Sequence, residues 1–443
     1  MKISADKFLM ARYNSKTILP NGMEVDFNAR GKQNDNIAVI GGTGTMKTTG
    51  AVEPILSTGG SSFVISDPKG ILADKYRTKL ENLNYKVIEL DFINPEKSAH
   101  YNPLDYVETP NDVQKISRQI VALSDGYKTN DSFWPKSSEL LANAVIGFLE
   151  ETQSTVYSKS ISGISQVLSL FDTNAIEEGR PCKANLLFED HNNWYKRKYG
   201  HDSWAYQQFR KFMGVSSRTN GCVLLTLQGN ISSLDTEKMK KMMNTQKSSR
   251  RWKEIFMPKN DLDIRDIGLE KTAVFIKVSD TDRSKDLAVN LFYSQAIDQL
   301  CRLADMRSTH SLPVPVRFIL DDFGTSAKIE GFDKMISNIR SRGISVMIVL
   351  QSIAQLREGY GESAQTIFDN CDTTIYMGGN NPDTAEYFGR IVDKPLKQIL
   401  RMPIGTNWII RRGEEPVYGE TIPIYNYEEE KIIRYDLDDE LEL

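Results

Sequence analysis

"NIAVIGGTGTMKTTGAVEPILST", residues 36–58, runs without interruption from an apolar segment through a glycine-rich turn into a segment of helical spacing. The pattern predicts a strand in NIAVI, a tight turn in GGTGTMK and a helix in TTGAVEPILST. A loop that cradles phosphates needs glycines where backbone amides turn inward, a lysine to reach the outer phosphates and a hydroxyl for Mg2+. It places all of these at a helix N-terminus, whose dipole favours anions. Gly41, Lys47 and Thr48 stand at the spacing of GxxxxGK[ST], but Met46 occupies the second glycine position. The candidate contact set is Gly41, Gly42, Thr43, Gly44, Thr45, Met46, Lys47, Thr48 and Thr49. Taken alone, the segment reads equally as a phosphate loop or as a glycine-rich βα turn with a solvent-facing lysine.

The neighbouring sequence repeats the strand–turn–helix rhythm. SFVIS at 62–66 ends in DPKG, DKYRTKLENLNY has helical spacing, and KVIEL reads as a third strand. Such alternation predicts βαβ units and a mostly parallel sheet. Past YNPLDYVETP the texture turns helical: NDVQKISRQIVALSD and SSELLANAVIGFLEE each present one apolar face, Leu140, Leu141, Ala144, Val145, Phe148 and Leu149 in the second. TAVFIKVS at 272–279, RFIL before Asp321, ISVMIVLQS, TTIYMGG and TNWIIRRG resume the strand pattern. The expected organisation is a lead-in over 1–35, an α/β domain over 36–107 and 263–425, an all-α insertion over 108–262, and an acidic tail over 426–443.

Composition narrows the function classes. Four cysteines at 182, 222, 301 and 371 lack CxxC spacing, and histidines at 100, 191, 201 and 310 form no HExxH pair, which argues against a disulfide framework or a zinc site. No GxSxG elbow is present. No run approaches the ~18–20 apolar residues of a membrane span, and the first thirty residues lack a signal-peptide layout; the chain is expected to be soluble. The formal charge of −4 is concentrated at the end, where Glu428 to Leu443 hold eight acids against two bases. That run reads as a solvated tail or as a partner-docking peptide.

A second chemical element is RFILDDFG. An apolar strand ending in acids is what a Mg2+-nucleotide site requires, Asp321 holding the metal and Asp322 polarising the attacking water. A third is Gln351, at the end of SVMIVLQS, where a strand-end amide either senses the terminal phosphate or simply caps a turn. Arg340 and Arg342 in NIRSRGIS are either solvated helix residues or arginines reaching a neighbouring subunit's phosphates.

In order, VIGGTGTMKT, SDPKG, YKVIELDF, YNPLDY, FILDDFG, IRSRGISVMIVLQS, IFDNCDTTIYMGG and WIIRRGEEP resemble the type IV secretion system coupling proteins, the ATPases that deliver DNA in bacterial conjugation. The resemblance covers about 36–420. It implies a RecA-like P-loop α/β domain interrupted by an all-α domain, assembled as a ring, with hexamer the expected size, and with ATP and Mg2+ as cofactors. By the same resemblance Lys47, Asp322, Gln351 and Arg340 take the catalytic roles, Arg340 in trans, while Thr48 and Asp321 hold Mg2+. Asp67 and Lys69 of DPKG support the site. The implied partners are single-stranded DNA, a relaxase or relaxosome, and secretion channel components, at the cytoplasmic face of the bacterial inner membrane.

Three features depart from the family pattern. Met46 puts a side chain where the loop usually has none, costing roughly 1 kcal/mol if the backbone there has positive φ; a helical φ removes the objection. Asp322 is one methylene shorter than the usual Glu. Members usually begin with transmembrane helices, which this sequence lacks, so the expectation is either a soluble fragment or a member that reaches the membrane through a partner.

For DNA, the best candidate track is KMKKMMNTQKSSRRWK at 238–253, with seven Lys/Arg and no acid, in which Lys238, Lys240, Lys241, Lys247, Arg250, Arg251 and Trp252 offer phosphate and stacking contacts. The same run also fits a solvated helix face or a subunit contact, and WYKRKY at 194–199 fits a protein contact as well as a nucleic acid. Two functional readings stand: a DNA-translocating ATPase, and a receptor that binds nucleotide without turning it over and recruits secretion substrates. A packaging or chromosome-segregating translocase would share the same core.

Overall fold

The computed structural model of the chain describes residues 16–20, 24–26, 34–122, 133–152, 156–214, 217–243, 262–279, 281–324 and 328–421. They fall into two compact units, Met1–Glu89 with Asp263–Asp280 and Ala296–Leu443, and Leu90–Leu262 with Thr281–Gln295.

The first unit is built on a nine-stranded sheet. Strands β3 (Ile37–Ile40), β4 (Ser62–Ser66), β5 (Lys86–Asp91), β6 (Thr272–Lys277), β7 (Val316–Leu320), β8 (Ile344–Leu350), β9 (Thr373–Tyr376), β10 (Thr406–Arg411) and β11 (Val417–Glu420) lie in the order β11-β10-β9-β3-β8-β7-β4-β6-β5. A separate two-stranded antiparallel sheet pairs β1 (Lys16–Ile18) with β2 (Glu24–Asp26). Pairing is parallel from β9 through β3, β8, β7 and β4 to β6, and antiparallel where β10 joins β9 and β11. Parallel strands are covered on both faces and so read as continuous apolar runs. Every residue of β3, β4, β7, β8 and β9 is buried accordingly. The edge strand β11 escaped the sequence reading, because two-sided burial is the signal that made the central strands visible and this short, exposed strand lacks it; the short strands β1 and β2 were not anticipated either.

Register positions the chemistry. Ile40 pairs with Leu350 and with Tyr376, and Leu320 with Ile348, so Gly41, Gln351, Met377 and Asp321 leave the sheet at one carboxyl edge. Ligands of open α/β sheets bind beyond that edge.

The second unit is helical. Phe148, Phe188 and Phe209 pack in its core: Phe188 stacks on Phe209 with ring centroids 4.4 Å apart, and Phe148 meets Phe188 at a tilt, 5.6 Å away. Glu151, ending the helix Phe133–Glu151, accepts hydrogen bonds from His191 Nε2 at 3.0 Å, Ser203 Oγ at 2.5 Å and the Ala205 amide at 3.2 Å. It thereby satisfies a free amide at the N-terminus of the helix Trp204–Met213, whose cap is Ser203. Among the described residues no helix is long and apolar enough to cross a membrane.

Candidate nucleotide-binding site

The loop that opens the sequence reading folds back onto the sheet edge. The Gly41 amide donates to Leu350 O at 3.1 Å and the Gly42 amide to Gly378 O at 2.8 Å. A Cβ on Gly41 would sit 2.5 Å from Thr45 Oγ1, and one on Gly42 would lie 3.3 Å from Gly379 Cα. Gly44 has φ +77°, and Met46, two residues on, has φ +66°. The left-handed backbone that favours glycine is therefore present at the position where this sequence carries methionine. The chain then enters a π-helical turn, Thr48–Val52, ahead of the helix Glu53–Thr58. Wide turns of this kind are frequent at functional sites.

Lys47 Nζ donates to Gly42 O at 2.8 Å, within the loop itself. Burial pushes the Lys47 ammonium pKa down, and the Asp322 and Asp321 carboxylates oppose that shift. Thr48 Oγ1 donates to Asp321 Oδ2 at 3.0 Å, while Asp321 Oδ1 accepts from the Asp322 amide at 3.0 Å. Burial raises the Asp321 pKa, as does the neighbouring Asp322 charge, and the bond from Thr48 acts against them. Asp322 has φ +51°, a conformation that Asp tolerates better than most residues because its short side chain bonds locally. A hydroxyl and two carboxylates are hard oxygen donors suited to Mg2+, which keeps several of its own waters. Among the described residues no group of three or more His, Cys, Asp or Glu forms a closed metal cage.

Gln351 is exposed just beyond β8, its amide donating to Gln355 Oε1 at 2.9 Å. Gln355 in turn lies against Gly324, where a Cβ would come within 2.3 Å of its side chain, so the β7 and β8 loops pack together. Arg340 and Arg342 sit in a 3-10 turn, Arg340–Arg342, rather than on a helix. The two differ in setting: Arg342 is held by Asp305 through bonds of 2.8 and 3.0 Å, whereas Arg340 is exposed.

Asp67 follows β4 at the same edge and is buried, its Oδ2 accepting from the Ala73 amide at 2.8 Å. Lys69 is exposed. Lys238, Lys240 and Lys241 lie on the helix Glu237–Met243. Lys240 pairs with Glu237 at 2.8 Å and Asp235 at 3.8 Å, and Lys238 with Glu96 at 3.9 Å, so acids outside the basic run neutralise part of it. Lys247, Arg250, Arg251 and Trp252 lie outside the described residues.

The sequence reading missed the backing of the loop. Met377 Cε and Thr421 Cγ2 press against Gly50, where a Cβ would meet them at 3.4 and 2.3 Å. A Cβ on Gly405 would lie 3.9 Å from Met46 Sδ. The pair Gly378–Gly379 directly after a buried strand was the available signal, since adjacent glycines there mark a close backbone approach.

A parallel sheet that feeds a glycine-rich turn into a helix, with acids at the end of β7, defines a RecA-like P-loop α/β fold with an inserted all-α domain. A sequence model of the family described as type IV secretory system conjugative DNA transfer matches residues 5–394, and the chain belongs to that family. It is 23% identical over 373 residues to the conjugal transfer protein TraG of Escherichia coli, a match covering 81% of this chain and 55% of TraG, so the chain spans about half the length of that relative. Among solved structures it is similar to the plasmid coupling protein TrwB in complex with ADP and Mg2+, with a TM-score of 0.62 at 18% identity over 95% of this chain and 93% of that one. TrwB in complex with the non-hydrolysable ATP analogue ADPNP gives a TM-score of 0.63 at 17% identity over 95% and 92%.

Proposed function

We propose that the chain is the ATP-driven coupling protein of a conjugative type IV secretion system, recruiting relaxase-bound single-stranded DNA and passing it to the transfer channel. The observation that carries this reading is the bond from Thr48 to Asp321, which joins the phosphate loop to the acidic strand end across 273 positions. Lys47, near Asp321 and Asp322, is placed to exchange its contact with Gly42 O for phosphate oxygens. The amides of Gly41 through Thr49 orient the nucleotide, with Thr48 and Asp321 holding Mg2+. Bound Mg2+ would supply charge neutralisation on the outer phosphates. Asp322 accepts the proton of the attacking water, Gln351 positions that water, and Arg340 of one subunit contacts the phosphates bound by its neighbour in a ring, with six copies as the expected count. TrwB's complexes with ADPNP and with ADP and Mg2+ support ATP and Mg2+ as the cofactors. The helical unit would serve as the receptor for relaxosome and DNA, on the cytoplasmic face of the inner membrane.

The receptor reading, nucleotide held without turnover, draws its support from the left-handed backbone at Met46 and Asp322. ATP hydrolysis by the purified chain, with and without single-stranded DNA and beside Lys47→Ala and Asp322→Ala, separates the two. Turnover that rises with DNA and is lost in both variants is expected. ATP binding with no turnover in any assembled state would select the receptor.

A further inference from the structure

The phosphate loop is supported from one side. Gly378 O, Gly379, Met377, Gly405 and Thr421 meet the loop's main chain at Gly41, Gly42 and Gly50 or its side chain at Met46. Gly405 is itself tied down, accepting from the Thr421 amide at 2.6 Å, and the next residue, Thr406, bonds back to Pro403 O at 3.2 Å. This rim comes from the turn after β9 (Met377, Gly378, Gly379) and from the ends of β10 and β11 (Gly405, Thr421) rather than from the phosphate loop.

We propose that Met46 is a positioning residue that pre-sets the phosphate loop: its side chain anchors a left-handed backbone turn to the core and to Gly405, in place of the freedom that a glycine would have. Met46 is half-buried and packs against the buried cluster formed by residues such as Ile37, Val39, Met377 and Ile409. Its carbonyl accepts the Gly50 amide at 2.8 Å, so the same residue fixes the first turn of the π-helical segment. A glycine at this position relieves the backbone strain but releases both the loop and its conformational restriction, since glycine has the largest conformational freedom to lose. Methionine's unbranched thioether suits the irregular space above Gly405, where any β-branched side chain would conflict with the φ of +66°. The consequence is an effect on affinity rather than on chemistry. A loop populated in its binding-competent form for only part of the time weakens apparent binding by that fraction, while the occupied site, once formed, has the same catalytic groups.

This inference rests on the nucleotide-binding reading above. The test is titration of the full chain with a fluorescent ATP analogue in Mg2+, and steady-state ATP turnover, for Met46→Gly and Met46→Leu beside Lys47→Ala. The expected result is an apparent Kd and KM raised about fivefold in Met46→Gly with kcat unchanged, as for a loop competent about a fifth of the time, and values close to wild type in Met46→Leu. Affinity equal to or tighter than wild type in Met46→Gly overturns the proposal, as does a Met46→Leu variant weakened about fivefold or more relative to wild type, a criterion that holds whether or not Met46→Gly folds. A chain whose affinity ignores Lys47→Ala would instead show that the nucleotide reading itself is wrong.

Discussion

Thr48 Oγ1 and Asp321 Oδ2 lie 3.0 Å apart, a direct bond between the first helical hydroxyl after the phosphate loop and the acid that ends β7. In a nucleotide-loaded site both atoms would face the same metal. Thr48→Val keeps the shape, removes the hydroxyl and takes away the donor to Asp321 Oδ2, leaving the Asp322 amide bonded to Oδ1. Mg2+-dependent ATP affinity is expected to fall on the order of tenfold, as for loss of a group that holds a ligand in place. Affinity measured in EDTA should barely change, and equal losses with and without Mg2+ would argue against the metal role.

Asp322 is expected to separate binding from turnover. Its φ of +51° is one that Asn shares readily with Asp, so Asp322→Asn should fold and bind ATP as the native chain does. Without a carboxylate to take a proton, kcat should drop by roughly a hundredfold or more. Asp322→Glu carries a longer side chain on the same left-handed backbone and is expected to leave kcat below wild type. Single-turnover hydrolysis measures both, and full activity in Asp322→Asn would remove the residue from the mechanism.

Arg340 and Arg342 share a 3-10 turn but make different predictions. Arg342 is committed to Asp305, so Arg342→Ala is expected to leave kcat intact and lower Tm slightly. Arg340→Ala should bind ATP normally yet lose about a thousandfold in the turnover of assembled rings, the scale of an arginine acting in trans. Mixing Arg340→Ala with Lys47→Ala subunits tests this, because each then supplies the half that the other lacks, and restored activity is the expected outcome.

Much of this site was legible because its chemistry is local in sequence. GGTGTMKT and ILDDF each announce a residue set, and the buried strands around them announce the sheet. The conformation at Met46 was not legible: the pattern allowed either a positive or a helical φ, and the structure has +66°, with the side chain packed on residues from distant segments such as Met377 and Ile409. The pairing of Arg342 with Asp305 was hidden for the same reason, since 37 positions separate them. The basic run at 238–253 looked free of acids because its partners Glu96, Asp235 and Glu237 lie outside it.

Asp67 gives a stability prediction with a definite sign. Burial raises its pKa, against bonds from the Ala73 and Leu72 amides and the Lys277 charge, which lower it; Asp74 adds to the rise. A carboxyl whose folded pKa lies above its unfolded value binds protons more readily when folded, so its charged form opposes folding. That penalty is fully present above the folded pKa and is relieved as pH falls toward the ordinary carboxylate range. Asp67→Asn keeps an acceptor for the Ala73 amide, bonded at 2.8 Å in the native chain, and removes the charge. The variant should therefore melt higher than wild type at pH 7–8, and the two curves should converge near pH 4. Thermal melts across that range decide it. A variant less stable than wild type at pH 8 would mean that the Lys277 interaction outweighs the desolvation of Asp67.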